Sequence, residues 1–208
     1  MDALLLVDIQ NDFLPGGALE VREGDQIVPI VNDLQAFFEL IVATQDFHPK
    51  DHGSFAANHE GKKPGDHIVL GGLDQVLWPV HCVQGSQGAK FSSLLKMDKV
   101  ATVVKKGLDK QIDSYSGFYD NGHKRSTGLS NYLKDKGVKR VFVTGLAADF
   151  CVKFTALDAL EEGFDTIVVQ DATRAVNLKE GDFDKAMEEL RSKGAQVMLS
   201  RDVVKMIS

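Results

Sequence analysis

Apolar and polar residues alternate along the chain in blocks that predict strands and helices in turn. Ala3–Val7 is a continuous apolar run, which is typical of a strand buried on both faces. Residues 24–40 place apolar side chains three and four positions apart, which predicts an amphipathic helix. Further short apolar runs predict strands at residues 40–44, 100–104, 141–143 and 166–169, with 196–199 as a candidate sixth strand.

Helical patterns fill the gaps between these later strands. They are centred on Leu129, Tyr132 and Leu133, on residues 148–162, and on Phe183, Ala186, Met187 and Leu190. Ser126 or Thr127 is the candidate N-cap of the first of these helices. Because strand and helix repeat in this order, we expect an α/β fold with three layers, α/β/α, around a mostly parallel central sheet. With no linker or repeat, residues 1–208 read as one domain.

Composition and charge exclude several classes of protein. The 208 residues are 43% hydrophobic and 26% charged, which is the globular average and excludes a disordered or collagen-like chain. A formal net charge of -6 argues against nucleic acid or an anionic membrane as a partner. No membrane span or signal peptide is evident, and two cysteines make no disulfide scaffold. We therefore expect a small, acidic, cytoplasmic domain, and self-association into a homo-oligomer stays open.

Reactive side chains follow several of the predicted strands. Asp8 follows the first strand, Asp46 the second, Lys105 and Lys106 the third, and Cys151 opens the helix after the fourth. Ligands bind at the carboxyl ends of strands in open parallel sheets, so this edge is the candidate active site. The long loop at residues 45–88 strengthens this expectation, because loops beyond about 15 residues are usually functional.

Cys151 is the best placed nucleophile of the chain. A thiol in the first turn of a helix faces the positive end of the helix dipole, and we expect its pKa to be lowered there. A nearby lysine, such as Lys105 or Lys106, would lower the pKa further, and a carboxylate such as Asp8 can take the proton. These three groups suffice for a nucleophilic amidase. The alternatives are a buried structural thiol, a turn-capping Asp8 and a solvated Lys106.

Histidines are concentrated in the long loop. Five of the six lie between residues 48 and 81, and Asp46, His48 and His52 have the spacing D-x-H-x3-H. Carboxylate and imidazole ligands suit zinc, iron or manganese. The alternative is that a surface loop has simply collected His and Asp, and we prefer this interpretation for His59 and His67. The chain has no dinucleotide-binding, P-loop or G-x-S-x-G motif.

Five motifs follow one another along the chain. They lie at residues 6–19, 44–49 (Thr-Gln-Asp-Phe-His-Pro), 78–85 (Trp-Pro-Val-His-Cys-Val-Gln-Gly), 106–107 with 113–118, and 145–152. In these motifs the chain resembles a known family, the nicotinamidases (pyrazinamidases) of the isochorismatase-like cysteine hydrolases. The second and third motifs are the most specific to that group, and the resemblance covers nearly the whole chain.

The resemblance implies roles for the residues at the strand ends. Cys151 is the nucleophile, Asp8 the general base and Lys106 the third member of the triad. Lys106 is preferred to Lys105 because the family's lysine directly precedes a glycine. In the family, the peptide leading into the residue matched by Ala147 is cis, and the backbone amides of Ala147 and Cys151 form the oxyanion hole.

The resemblance also implies a metal and a substrate pocket. The ligands are Asp46, His48 and His81, with His52 as the fourth, and they hold one divalent ion. Zinc is the first choice for that ion, with Fe²⁺ or Mn²⁺ as alternatives. The substrate ring lies in a pocket formed by Phe13, Trp78 and Tyr115. Phe150 stands where the family varies, so its role is open, and Cys82 is taken as structural.

The implied reaction is hydrolysis of nicotinamide to nicotinate and ammonia, a step of NAD salvage, through a thioester on Cys151. Pyrazinamide is expected as a second substrate. One rival is an amidohydrolase of the same superfamily that acts on a ureido or carbamoyl substrate. Another is a non-catalytic module that binds a metal or ligand. The metal motif argues against the first rival, and the retained acid, lysine and thiol argue against the second.

Overall fold

A six-stranded parallel sheet forms the centre of the molecule. The structure is a computed structural model that describes residues 1–208. The strands in chain order are β1 (Asp2–Val7), β2 (Leu40–Asp46), β3 (His67–Leu70), β4 (Leu73–Val76), β5 (Thr102–Lys106), β6 (Arg140–Leu146), β7 (Asp165–Arg174) and β8 (Gln196–Met198). The helices are α1 (Ile27–Leu34), α2 (Leu129–Asp135), α3 (Lys153–Glu161), α4 (Asp182–Ser192) and α5 (Ser200–Ile207). The central sheet has the order β5-β2-β1-β6-β7-β8, and β3 and β4 form a separate antiparallel pair.

Both faces of the central sheet are buried, which is why its strands are apolar throughout. Along β1, Ala3, Leu5 and Val7 pack into one hydrophobic cluster, and Leu4 and Leu6 pack into another. Helices α2, α3 and α4 cover the first face, and α1 and α5 cover the second. The expected three-layer α/β/α architecture is confirmed. No helix is both long and apolar enough to span a membrane.

Several predicted boundaries differ from those observed. The helix predicted over residues 24–40 is α-helical only at Ile27–Leu34, because 3-10 turns flank it and the chain must extend into β2. The third sheet strand lies two residues later than predicted, so Lys106 ends β5 instead of following it. Neither Ser126 nor Thr127 is the N-cap of α2, because Gly128 takes that position with a φ of 88°.

The helix predicted over residues 148–162 is divided into two parts. Ala148–Val152 forms a single π-helical turn, and α3 begins only at Lys153. The amide of Val152 donates to the carbonyl of Ala147 at 3.0 Å, five residues back, and this bond defines the turn. Single π turns inside helices are frequent at functional sites. This one carries Cys151.

Two elements were not predicted from the pattern. The hairpin β3–β4 lies inside the long loop, and Gly71 and Gly72 join its strands with φ values of 60° and 89°. A Gly-Gly pair between two short alternating runs is a hairpin signal, so this element was available in the sequence. Helix α5 was also missed, although it buries Val203 in the second cluster.

Candidate active site

The carboxyl ends of β1, β2, β5 and β6 bring the predicted reactive side chains to one edge of the sheet. Asp8 directly follows β1, Asp46 and Lys106 are the last residues of β2 and β5, and Cys151 lies in the π turn after β6. Asp46 and Lys106 are also register partners in the β2–β5 pair. All four residues are buried. The order of the strands in the sheet therefore brings together the side chains that the sequence placed at the strand ends.

The ammonium group of Lys106 is at the centre of this cluster. Its Nζ lies 2.8 Å from Asp8 Oδ2 and 3.1 Å from Asp46 Oδ1, and it donates to Cys151 Sγ at 3.4 Å. A fourth contact is the carbonyl of Ser114 at 2.8 Å. Asp8 Oδ1 in turn accepts a hydrogen bond of 2.7 Å from Thr44 Oγ1. One buried cation therefore faces a thiol and two carboxylates.

These neighbours set the protonation of the lysine and of the acid. Burial alone would lower the pKa of Lys106, but the carboxylates of Asp46 and Asp8 outweigh burial and hold that pKa well above its usual value. Burial raises the pKa of Asp8, and the Lys106 charge only partly offsets that rise. Lys106 therefore keeps its proton, and Asp8 is a carboxyl adapted to exchanging one.

The thiol of Cys151 differs from the sequence-based expectation. Burial raises the pKa of Cys151 well above its usual value, and the negative charges of Asp8 and Asp46 add to this, although Lys106 opposes it. The predicted lowering of the pKa is therefore wrong, because desolvation of a thiolate outweighs one lysine and the start of a helix. The resting side chain is a thiol. Its hydrogen bond with Asp8 puts a base within reach of its proton.

The strand alternation separates the two adjacent lysines. Lys106 faces the cluster, whereas the neighbouring Lys105 is exposed and its Nζ lies over the ring of Phe47 at 4.2 Å from the centroid. Successive residues of a strand point to opposite sides, so only one of the two can reach the sulfur of Cys151. This contact geometry favours Lys106.

A group of side chains that could hold a metal ion adjoins the lysine cluster. His48 Nε2 lies 2.9 Å from Asp46 Oδ2, and His81 Nε2 lies 3.4 Å from the same oxygen. The second ring nitrogens of both histidines are held by backbone carbonyls, those of Gly107 at 2.9 Å and Pro79 at 2.8 Å. Carbonyl partners on the remote nitrogens direct the Nε2 atoms toward a common point, as in protein metal sites.

The charges of this group suit a divalent cation. Burial alone would raise the pKa of Asp46, but His48 and Lys106 outweigh it and hold that pKa well below its usual value. Burial would likewise lower the pKa of His48, yet Asp46 outweighs it and raises that pKa to about 8. An ionised carboxylate with two imidazoles is a donor set typical of zinc and iron sites. The three residues therefore fit a divalent ion.

His52 lies beside this group but forms a different set. Its ring is 4.3 Å from that of His48 between centroids, and its closest ligand group is formed with His48 and Asp113. Ser54 Oγ lies 2.7 Å from His52 Nδ1, whereas the buried Nε2 has no partner. Burial lowers the pKa of His52, so the ring is neutral. An orphaned, neutral nitrogen beside His48 keeps His52 in place as a candidate ligand.

A small, mostly apolar pocket lies between the thiol and the histidines. Trp78 and Phe150 pack edge to face at 4.8 Å between ring centroids, and Phe13 lies 5.6 Å from the ring of His81. The Tyr115 hydroxyl accepts hydrogen bonds from Trp78 Nε1 at 3.1 Å and Gln75 Nε2 at 2.9 Å. The lining residues are Phe13, Leu19, Asp46, Trp78, His81, Asp113, Tyr115, Ala147, Phe150, Cys151 and Val176.

No role was assigned from the sequence to several residues that line this pocket or contact its lining. Phe150 forms part of the aromatic wall, and Asp113 faces both the pocket and the histidines. Gln75 donates to Asp113 Oδ2 at 3.2 Å as well as to Tyr115, and so connects the hairpin to the pocket. Asp113 lies in a motif that pointed to the site, but Gln75 carries no sequence signal, because only the hairpin brings it there.

The remaining cysteine and histidines lie apart from the nucleophile. Cys82 is buried in the second hydrophobic cluster, its amide donates to Asp12 Oδ2 at 2.7 Å, and its thiol donates to a carbonyl at 4.0 Å. His59 bonds the carbonyl of Gly53 at 2.7 Å, and His67 is exposed beside Asp74.

The Leu146–Ala147 peptide bond is cis.

Comparison with known proteins gives one family throughout. A family model described as the isochorismatase domain matches residues 2–202. The chain is 45% identical to a nicotinamidase of Acinetobacter baylyi, covering 97% of this chain and 94% of that one. It is 46% identical to a nicotinamidase of Escherichia coli, covering 96% of this chain and 95% of the relative.

Solved structures extend the similarity to the whole fold. A nicotinamidase/pyrazinamidase of Acinetobacter baumanii superposes with a TM-score of 0.94 at 44% identity, covering 97% of each chain. A pyrazinamidase of Pyrococcus horikoshii in complex with zinc superposes with a TM-score of 0.79 at 38% identity, covering 95% of this chain and 98% of that one.

Proposed function

The chain belongs to the isochorismatase domain family and is a hydrolase of its nicotinamidase group, and we propose that it hydrolyses nicotinamide to nicotinate and ammonia through a thioester on Cys151. The observation that carries this proposal is the contact of one buried lysine with both a thiol and an acid at one end of an aromatic pocket. Metal-ligating side chains line the same pocket. Binding alone needs no such triad.

The first half of the reaction begins from a protonated thiol. Asp8 takes the proton of Cys151 as the sulfur attacks the carboxamide carbon, so the thiolate forms only during attack. Lys106 keeps its charge and stabilises the sulfur as it becomes negative, through the 3.4 Å contact. The carbon–nitrogen bond then breaks, and the proton held by Asp8 passes to the leaving nitrogen, which departs as ammonia.

In the second half of the reaction, Asp8 again takes up a proton and then gives it back. Asp8 takes a proton from a water molecule, whose oxygen attacks the thioester carbon. The carbon–sulfur bond breaks, nicotinate is released, and the proton returns to the sulfur of Cys151. The raised pKa of Asp8 suits a group that gains and loses a proton in each half. One water is consumed and one ammonia is formed.

Both tetrahedral intermediates place a negative charge on the former amide oxygen. We assign the backbone amides of Ala147 and Cys151 as its donors, at the junction of β6 and the π turn. Preorganised donors of this kind contribute about 3 kcal/mol each to stabilisation of the transition state in related acyl transfers. Only backbone atoms are needed, so side-chain identity at position 147 matters chiefly for size.

The histidine group is assigned to a divalent ion, with zinc as the first choice. Asp46, His48 and His81 would hold it, with His52 as the fourth ligand. When bound, such an ion would supply a Lewis acid toward the ring nitrogen of the substrate and would withdraw electrons from the ring. Phe13 and Trp78 would sandwich the two faces of the ring, and together with Tyr115 they would exclude water. A pyrazine ring also offers a nitrogen at that position, so pyrazinamide is the second proposed substrate.

Ammonia release from nicotinamide, pyrazinamide and a ureido compound tests the proposal directly. We expect turnover of the two aromatic amides and none of the ureido compound. Cys151→Ala should lose at least about 10³-fold of the activity, because no other group can form the thioester. The matched control is Cys82→Ala, which removes the other buried thiol and should stay within a few-fold of the parent. Folded Cys151→Ala that keeps more than about a thousandth of the parent turnover would rule out the nucleophile assignment.

A further inference from the structure

A second group of side chains that could hold a metal ion lies outside the candidate active site. His123 lies in the loop before α2, and Asp158 and Glu161 lie near the end of α3. One ligand atom from each of the three lies within 4.8 Å of the others. None of the three contacts the proposed triad or the first histidine group. The active site therefore gives no reason for their convergence.

Asp158 is the residue that distinguishes this group from an ordinary surface cluster. It is only 5% exposed, and its Oδ1 lies 3.2 Å from His123 Nε2. Ser116 hydrogen-bonds to this carboxyl, but the other oxygen, Oδ2, is buried and has no hydrogen-bond partner of ordinary geometry. A buried carboxylate oxygen without a well-placed donor is unfavourable, because the protein replaces only part of its lost hydration. A bound cation would remove that deficit.

The cleft around Asp158 contains another buried carboxylate oxygen that has no partner. Asp158 and His123 line a cleft of about 280 Å³ together with Asp120. Asp120 is also buried, and its Oδ2 likewise lacks a partner. No lysine or arginine lines this cleft. Two buried carboxylates with unused oxygens, in a lining without lysine or arginine, make the cleft attractive to a positive ion.

Asp158 and His123 are held in position before any ion binds, and Glu161 lies beside Asp158 on the surface of α3. Asp158 and Glu161 are three residues apart on α3, so they lie on the same face of the helix. The ring of His123 stacks on that of Tyr119 at 4.9 Å with an angle of 15°. Asp120 Oδ1 accepts hydrogen bonds from the amides of Gly122 and Lys124, which fixes the loop around His123.

We propose that His123, Asp158 and Glu161 form a second site for a divalent transition-metal cation of the zinc type. One imidazole nitrogen and two carboxylate oxygens are a zinc donor set. Donor atoms around tetrahedral zinc lie roughly 3.4 Å apart, so the three ligand atoms, which lie within 4.8 Å of one another, must move closer together, and the exposed side chain of Glu161 is free of the packing that would oppose this. The ion would link α3 to the loop that follows Tyr115 and leave its fourth position open to water.

The test measures zinc stoichiometry on the full chain. Protein freed of metal with EDTA is titrated with Zn²⁺, and the bound metal is determined by elemental analysis after gel filtration. We expect two equivalents in the parent chain and one in Glu161→Gln and in His123→Gln. The matched control is Glu188→Gln, an exposed carboxylate on α4, which should keep two. Ammonia release by Glu161→Gln should stay within about twofold of the parent.

The outcomes separate this site from the first one. A second equivalent that survives both substitutions, or a parent chain whose only equivalent survives them, would overturn the proposal. A single equivalent that is lost in Glu161→Gln would support this site and count against the first. The imidazole NMR signals of His123 give an independent check. They should shift on addition of Zn²⁺ to the parent and stay unchanged in Glu161→Gln.

Discussion

Lys106 is the residue through which the proposed triad and the proposed metal ligands touch. Its ammonium group contacts Asp8 and Cys151 on one side and Asp46 on the other. A buried cation between two carboxylates is stable only as a set, because removing one member leaves the others charged and desolvated. This explains why two acids can lie so close together inside the protein. It also makes the lysine the most informative residue to replace.

We expect Lys106→Met to lower kcat/KM for nicotinamide by about 10²–10⁴-fold, because the forming thiolate loses its cation. The free energy of unfolding should also fall by about 3–5 kcal/mol, since two buried carboxylates lose their partner. Lys105→Met is the matched control, and it should change either quantity little. Ammonia release and urea unfolding measure the two effects. Equal losses in both variants would contradict the assignment of Lys106.

The proposed metal ligands predict a dependence of zinc affinity on pH. Asp46 raises the pKa of His48 to about 8, despite burial, so the ring is protonated below that pH in the metal-free protein. Zinc must displace this proton, and its affinity should therefore fall by about tenfold per unit as the pH drops from 8 to 6. Competition against a chelator dye, calibrated without protein, measures this in the Glu161→Gln background. Constant affinity over that range would contradict the assignment of His48.

At the scale of secondary-structure elements, the candidate site is formed where parallel strands end side by side. β1, β2 and β5 run side by side in one direction, so Asp8, Asp46 and Lys106 meet at one edge. The strands end sharply there. Asp8 takes a φ of 48°, a left-handed conformation that costs about 1–3 kcal/mol in a residue other than glycine. Gly107 follows Lys106 with a φ of 66°.

We predict that Gly107 is essential for metal binding by the proposed ligands. A Cβ atom there would lie 2.4 Å from His48 Cε1, and the residue also has a φ that favours glycine. We expect Gly107→Ala to push the His48 ring aside and weaken zinc binding by at least about tenfold, the equivalent of 1.4 kcal/mol. Gly61→Ala is the control, because Gly61 has a φ of 71° but no atom within 4 Å of an added Cβ. Unchanged zinc affinity in Gly107→Ala would show that the ring does not depend on this glycine.

At the scale of the whole molecule, long-range contacts tie the helical layer to the loops around the site. Glu162, directly after α3, accepts hydrogen bonds from Tyr119, Ser130 and Lys134. These donors belong to α2 and to the loop that precedes it. Hydrogen bonds from Lys134, Ser130 and Tyr119 lower the pKa of Glu162 from 4.5 to about 2. One carboxylate thus connects three segments of one layer.

Glu162→Gln should lower the free energy of unfolding at pH 7 by about 1 kcal/mol, because solvent screens a partly exposed ionic contact. The folded pKa lies below the unfolded one, so this stabilisation is complete above pH 4.5 and is lost as the pH falls toward 2. Urea unfolding at pH 7, 4 and 2.5 should show the difference between variant and parent shrinking. The exposed Glu188→Gln is the control at each pH. A difference that stays constant down to pH 2.5 would contradict this account.

Much of the candidate site could be inferred from local sequence, for a physical reason. Buried strands are continuous apolar runs, and the polar residue that ends each run marks the strand end, as with Asp8 and Asp46. Other positions could not be inferred in this way. Gln75 reaches Tyr115 only through the hairpin, and the π turn that carries Cys151 has the same apolar pattern as an α-helix.

The amino-acid sequence by itself determined the α/β architecture and the family, and it supplied the candidate reactive side chains, because these depend on periodicity and on motifs within short segments. Only the tertiary structure decided how these groups act on each other. It separated Lys106 from Lys105, protonated the thiol of Cys151, and paired Asp158 with His123 in a second cluster. Distances between remote segments and the loss of water on burial control these properties, and neither quantity is local to a segment of sequence.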